Sequence, residues 1–460
     1  MRITVIDLDP DIDGRLIRNF QQVVMQVKPF KAFRFNETVV GDVGHCIAPP
    51  YDVISPAQQQ QFYEKSEYNI VRIIKGKQES SDDDKKNRYT RAADYLDTWL
   101  EKGVLTQDRT DTIYAYVQDF HVAGRNLHRN SFIALAKLEE YGKTVRPHEH
   151  TLDKPKIDRL NLRKATDAEF GLVFMLYEDK QNIADKIIER AAKQEPLIDS
   201  ADEQDVRHRL SAITSKDDIE QITNMMLDKN CIIADGHHRY ETALNYQKRT
   251  PNPAAAYQMI AFVNTCQEGL LILATHRLVA NLENFSFEKL LADLKNHFDI
   301  NEFPFDSPQA KTDAKEKMLT RMKAELALDK HAFGIYAGNH AFYTAVLKDN
   351  KTTDSAASNM SLPWKVLDVS VLHKLILEGL LGIDEKQLAR GDNIEYVKDT
   401  DNAIDESIAK TDKGQKQIAF FMNPVKMWQL KMVTDAGERM PQKTTYFYPK
   451  IYTGMTINKL

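Results

Sequence analysis

The stretch CIIADGHHRYETAL, residues 231–244, crowds Asp235, Gly236, His237, His238 and Arg239 between a short apolar, β-prone run and a helix-spaced set, Tyr240, Ala243 and Leu244. A strand-to-helix turn of this composition suits an anion. Gly236 permits a positive φ and close backbone approach, and the first helical N–H groups point outward with the positive end of the helix dipole behind them. His237 and His238 can donate imidazole N–H bonds to phosphate oxygens, and Arg239 adds a planar fork. Asp235 cannot hold a bare anion, but it can hold a magnesium that rides on polyphosphate, or orient a histidine. An ordinary cap with Asp235 as N-cap is the plain alternative, although two histidines and an arginine exceed what a cap needs. Zinc is disfavoured, because adjacent histidines diverge on a helix whereas ligand pairs sit at i and i+4.

Two further clusters carry chemistry. In RPHEHTLDKPKIDR, residues 146–159, His148, Glu149 and His150 follow a proline in a polar segment, with Lys154, Lys156, Asp158 and Arg159 close behind. The spacing is not that of HExxH, and a carboxylate flanked by histidine and lysine can instead act as a general base on a hydroxyl; the alternative is a solvated loop. In MPQKTTYFYPKIYTG, residues 440–454, Lys443 and Lys450 flank Thr444, Thr445 and several aromatics close to the C-terminus. Chains usually fray there, so this composition marks a tail that is tied down, for a site or for packing alone. The weaker THR triplet, Thr275 to Arg277, ends an apolar strand.

The elements that must position these clusters read as mixed helices and hairpins. Pro56–Lys65 and the segment after the acidic run Asp82–Asp84 are helices, and NIVRIIK, residues 69–75, reads as a strand. TIYAYVQDFHVAGRNLHRNSFIALAKLEE is a long hairpin turning at AGRN, after which VRPHEHTLDKPKIDRLNLRKATD interrupts the pattern as a polar, proline-bearing segment. YQMIAFVN and LLILATHRLV look like paired or neighbouring strands; helices at 308–327 and around LDVSVLHKLILEGLL, and a GN-turned hairpin, follow. The pattern predicts an α+β protein rather than a doubly wound parallel sheet. The expected organisation is an N-terminal extension over 1–26, an α+β domain over 27–285 carrying the HE loop and the DGHHR turn, and a C-terminal α+β domain over 286–460 carrying the tail.

Composition bounds the function. The 460 residues carry a net charge of −5, without the strongly basic balance of a nucleic-acid binder, and are 42% hydrophobic without an apolar run long enough to span a membrane. Cys46, Cys231 and Cys266 lie far apart with no CxxC, so neither a disulfide framework nor a zinc ribbon is expected, and the acidic N-terminus lacks the pattern of a signal peptide. A cytoplasmic protein is expected; the oligomeric state is left open.

Together, VKPFKAFRF, APPYDVIS, HEHTLDKPKIDR, ADGHHRYETAL, THRLV, LDVSVLH and PQKTTYFYPKIYTG resemble, from about residue 27 onward, a widespread prokaryotic family of uncharacterised conserved proteins, the "ten-fifteen" family of unknown function. The order PHE, DGHHR, KTT is more distantly similar to the archaeal free serine kinases of the ParB/sulfiredoxin-like group. That resemblance implies a ParB/sulfiredoxin-like core around the DGHHR turn with additional α+β structure, and a nucleotide-dependent phosphotransferase acting on a small hydroxyl-bearing metabolite. It implies Glu149, with His148, as the catalytic base; Asp235, Gly236, His237, His238 and Arg239 as the phosphate and nucleotide turn, with Asp235 on a metal; and Lys443, Thr444, Thr445, Lys154 and Arg159 near the substrate. ADP or ATP with Mg²⁺ is the implied cofactor. The kinases continue KTT with an arginine where this chain has Tyr446, and a longer stretch separates the glutamate loop from the DGHHR turn. Two other readings use the same residues: a ParB-like, nucleotide-responsive binding protein without turnover, and a phosphate-ester hydrolase.

Overall fold

The computed structural model describes residues 24–384, 387–388, 391–400 and 402–460. All but the last three residues of the expected N-terminal extension therefore lie outside the described residues. The chain is α+β, as its pattern predicts, and is built on two large sheets.

The first sheet is mixed. Its strand order is Val145–Arg146, Cys231–Asp235, Val173–Tyr177, Tyr257–Asn264, Arg125–Lys137, Ile113–Val122, Arg207–Ile213 and Ile198–Ala201, with Val27–Lys28 also on Arg125–Lys137. Cys231–Asp235 runs parallel to Val145–Arg146, and Val173–Tyr177 runs parallel to Tyr257–Asn264; the other pairs are antiparallel. Both faces are buried, so the strands alternate between two cores rather than between core and water. Tyr114, Tyr116, Phe174, Leu176 and Ala261 face one core, while Ile113, Ala115, Val173, Met175 and Ile260 face the other. Helices Ile183–Ala191, Lys216–Met226 and His237–Gln247 cover the second face through Ile187, Ile222 and Tyr240.

The first face is covered by N-terminal elements, among them Trp99 of helix Arg88–Glu101, and by the C-terminal tail through Phe447, Ile451, Met455 and Ile457. Tyr446–Tyr448 pairs with Leu271–Leu273, Asn458–Lys459 pairs with Ala168–Glu169, and Ile457 exchanges backbone bonds with Phe33. The tail is tied down along its length.

The second sheet is antiparallel, in the order Phe298–Pro304, Ala341–Leu347, Ala332–Tyr336, Ile418–Phe421, Thr275–Val279 and Ile394–Lys398. Helix Pro308–Ala327 packs Met318 and Met322 on one face, and the helical run Asp368–Glu378 packs Val371, Leu372 and Ile376 on the other. No helix of the described residues is long and apolar enough to cross a membrane.

Three local expectations are corrected. NIVRIIK is a short buried helix, Val71–Ile74, whose start is fixed by Asn69: its side chain accepts from Val71 N–H and donates to the His45 and Ile47 carbonyls, so tertiary bonds override β propensity. The polar segment after the HEH cluster is the helix Asp153–Thr166, with Pro155 in its first turn, where the missing N–H costs nothing. Tyr257–Asn264 and Thr275–Val279 are not neighbours but belong to different sheets, since a strand pattern does not name its partner. Ile457 is fully buried between tail and sheet. Ile457→Ala is expected to cost about 2–5 kcal/mol of stability by urea titration, and a loss well under 1 kcal/mol would show that the tail contributes little to this core.

Candidate functional site

Gly236, rather than Asp235, occupies the N-cap of helix His237–Gln247, with φ of 92°. A Cβ there would sit 3.0 Å from Arg239 Nε, because the guanidinium folds back over the glycine. Arg239 donates to the Leu172 carbonyl and lies 3.7 Å from Asp235 Oδ1, so it buttresses the turn from behind. Among the described residues no side chain caps the helix, so its first N–H groups have no side-chain acceptor.

The histidines act as struts. His148 donates Nδ1–H to the Ile233 carbonyl at 2.6 Å, leaving Nε2 to accept from the Thr445 hydroxyl at 2.8 Å. His237 Nε2 accepts the His148 backbone N–H at 3.2 Å, and His238 Nε2 accepts that of Leu152 at 2.9 Å. Each ring that was expected to donate outward thus spends Nε2 as an acceptor that pins the 148–152 loop to the turn. Burial lowers the pKa of all three, His148 to about 4, in keeping with neutral rings. Thr151 and Lys156 add bonds to Glu241, and Met440 N–H reaches the His148 carbonyl, so loop, turn and tail form one assembly.

Glu149 lies within that assembly, half-buried. Among the described residues no hydrogen bond or ion pair is formed by its carboxylate. Burial raises its pKa against the opposing pull of Lys443, with Asp235 raising it further and His238 and Lys450 lowering it. Asp235 is pushed up by burial, but Lys450, 3.1 Å from Oδ2, and Arg239 outweigh this and hold it below the ordinary carboxylate range. Lys398 and Lys450 lie over the Tyr446 ring, 4.4 and 4.5 Å from its centre. Burial lowers the Lys398 pKa, as do its neighbours Lys450 and Lys443. A cavity of about 730 Å³ opens beside Lys398, Tyr446 and Lys450.

The other expected residues are distributed differently. Thr445 is bound to His148, and Thr444 is buried with its hydroxyl on the Pro441 carbonyl. Lys154 and Arg159 line a separate cavity of about 380 Å³ that none of Glu149, Asp235 and Lys443 lines; there Arg159 pairs with Asp158 and stacks over Tyr51 at 3.8 Å. Among the described residues no three His, Cys, Asp or Glu side chains converge on a metal, so Asp235 could offer one carboxylate to an ion held chiefly by other ligands.

Several residues escaped sequence reasoning. Asp52, from APPYDVIS, contributes its charge at both Tyr446 and Lys398 alongside Asp235; a carboxylate held after two prolines was the available signal. Lys398 gave none, since it ends an ordinary strand of the second sheet. Arg129 is wholly buried and donates to the Tyr448 and Pro449 carbonyls and to Gln118 Oε1, while Gln118 Nε2 donates to the Lys450 carbonyl. Arg277, of the THR triplet, is wholly buried and donates to the Lys443 carbonyl at 2.9 Å. Burial lowers both guanidiniums to about 10.

The family model described as Protein of unknown function (DUF1015) matches residues 27–370. No functionally curated protein matches the chain. Among solved structures, a free serine kinase mutant in complex with AMP is 12% identical, over 66% of this chain and 84% of that one, with a TM-score of 0.31. A conserved hypothetical protein from Pyrococcus furiosus is 14% identical over 67% and 89%, at 0.30. SbnI with a C-terminal truncation, from Staphylococcus aureus, is 10% identical over 71% and 87%, at 0.34.

His148 is neutral when folded and free to charge when unfolded, so the unfolded chain binds more protons as pH falls from about 6.5 toward 4. Its stabilising contribution is complete above pH 6.5 and is lost across that window, on the order of 3 kcal/mol. Urea titrations between pH 7 and 4 are expected to show this decline, and His148→Asn to flatten it. An unchanged slope in the variant would mean that His148 is not held neutral.

Proposed function

The chain belongs to the DUF1015 family, and on that premise we propose that it is a nucleotide-dependent phosphotransferase that moves a phosphoryl group from ADP or ATP to the hydroxyl of a small metabolite. The observation that carries this reading is Glu149: a half-buried carboxylate with a raised pKa and, among the described residues, no ion pair of its own, set beside Lys443 and His238. Raising a carboxyl's pKa strengthens it as a proton acceptor, the direction a general base requires. The order PHE, DGHHR, KTT, similar to that of the archaeal free serine kinases, supports the same assignment.

In the proposed reaction the acceptor oxygen attacks the terminal phosphorus while Glu149 takes the hydroxyl proton. As the new O–P bond forms, the bond from that phosphorus to the bridging oxygen breaks, and the electron pair leaves on the nucleotide. Phosphoryl transfer depends mainly on positioning and on positive charge around the transferred group. Lys398, Lys443 and Lys450 supply the charge, and the uncapped helix start at His237 supplies N–H donors. Mg²⁺ carried in on the polyphosphate would offset its charge; Asp52 and Asp235 suit it as hard oxygen donors, though Asp235 would then share its carboxylate with Lys450.

Glu149→Gln is expected to lower transfer from ATP or ADP to a panel of hydroxyl-bearing metabolites by roughly 10²–10⁴-fold, with nucleotide affinity retained. Product mass spectrometry and calorimetry provide the two readouts. Wild-type transfer rates in the variant, or no binding of either nucleotide, would remove the proposal; inorganic phosphate released without any acceptor would identify a hydrolase.

A further inference from the structure

The LDVSVLH motif, residues 367–373, takes no part in the site above, yet it feeds an unusual element. From Leu372 to Glu378 the helix widens to a π-helical turn, a distortion that recurs where helices present side chains to ligands. His373 opens this turn. It is only 8% exposed, and its Nε2 is buried with no hydrogen-bond partner among the described residues. A buried polar atom left this way is costly unless something else satisfies it.

His373 lines a cavity of about 430 Å³, within the range of roughly 300–1,000 Å³ common for small-molecule sites. Trp364 and Tyr396 give the cavity aromatic walls, and Arg439 gives it a cation. The Arg439 guanidinium lies 3.5 Å from His150 Nδ1 and over the Tyr141 ring, and among the described residues it forms no ion pair. His150 and Gln442 also line the cavity, and they are the chain neighbours of Glu149 and Lys443. The cavity thus reaches the segments that carry the proposed base and one of its lysines.

We propose that this cavity is the acceptor subsite, and that it takes a small carboxylate with an aromatic or bulky apolar body, the carboxylate on Arg439, the body between Trp364 and Tyr396, and a polar atom on His373 Nε2. The substrate class rests on the phosphotransferase reading; the binding chemistry does not. Guanidinium recognises a carboxylate through paired N–H bonds. Burial, with Arg277 and Lys374 nearby, lowers the His373 pKa to about 3, so its ring binds a polar atom without requiring a charge. The aromatic walls favour ligands larger than a bare hydroxy acid.

The test uses 3-phenyllactate, its methyl ester and lactate as probes, followed by calorimetry and by tryptophan fluorescence, to which Trp364 contributes. The acid is expected to bind roughly tenfold or more tightly than the ester and than lactate. Arg439→Met is expected to bring the acid down to the level of the ester, while Arg439→Lys recovers part of the difference. Equal affinity for acid and ester, equal affinity in wild type and Arg439→Met, or no binding of the acid at millimolar concentration would overturn the proposal. Titrations of the same protein with ADP and with ATP separate the two readings. Acid binding without nucleotide binding leaves the carboxylate site standing but removes phosphotransfer and, with it, the acceptor role; nucleotide binding without acid binding removes the cavity proposal alone.

Discussion

Two wholly buried guanidiniums hold the C-terminal tail, and the site depends on them. Arg129 has no carboxylate among its hydrogen-bond partners; the Tyr448 and Pro449 carbonyls and the Gln118 side chain receive its N–H groups, with the Phe174 ring against its plane. Arg277 likewise donates to the Thr275 and Lys443 carbonyls. A buried charge is costly to leave unmet; the Nε of each arginine is buried with no partner among the described residues, and the tail carbonyls are among the acceptors that meet their terminal N–H groups, so each arginine is tied to the tail. Lys443 and Lys450 are placed through their own backbone carbonyls, which brings the Lys450 ammonium to Asp235 Oδ2.

The same logic extends to the histidines. A neutral imidazole offers one donor and one acceptor: His148 uses both to link the Ile233 carbonyl of the strand to the Thr445 hydroxyl of the tail, while His237 and His238 each accept one backbone N–H of the 148–152 loop. Their neutrality leaves the positive charge around the turn to Arg239 and the lysines. Asp235 is satisfied by Lys450 and Arg239, whereas Glu149, next to the strut His148, has no hydrogen bond or ion pair among the described residues. Pairing one carboxylate and sparing the other drives their pKa values in opposite directions, the arrangement that separates a structural carboxylate from one able to move a proton.

Much of this was legible in the chain. Apolar and alternating runs marked the long hairpin and several strands of both sheets, though not Phe298–Pro304 or Ile394–Lys398, and helix signals placed Pro56–Lys65 and Pro308–Ala327 at their observed bounds. The clusters at 148–150, 235–239 and 443–445 drew notice because their polarity exceeded what a cap, a loop or a fraying end requires. Arg129 stayed invisible because a charged residue in an alternating strand reads as solvent-facing; the face it occupies is covered by residues more than 300 positions away. NIVRIIK failed for a similar reason, since Asn69 fixes a helix start by bonding to carbonyls more than twenty residues upstream.

By itself the sequence determined many of the strands, helices and turns, though not the helix at Val71–Ile74, and which residue types are available for anion binding and proton transfer, because periodicity and local chemistry act over a few residues. Only the tertiary structure decided which clusters meet. The tail's return to the first sheet brings Lys443 and Lys450 to Glu149 and Asp235, and the edge of the second sheet adds Lys398. It also decided which groups stay free, turning His148, His237 and His238 into struts and leaving Glu149 unpaired. Burial and pairing set a group's charge, and both are properties of neighbours that the chain brings from afar.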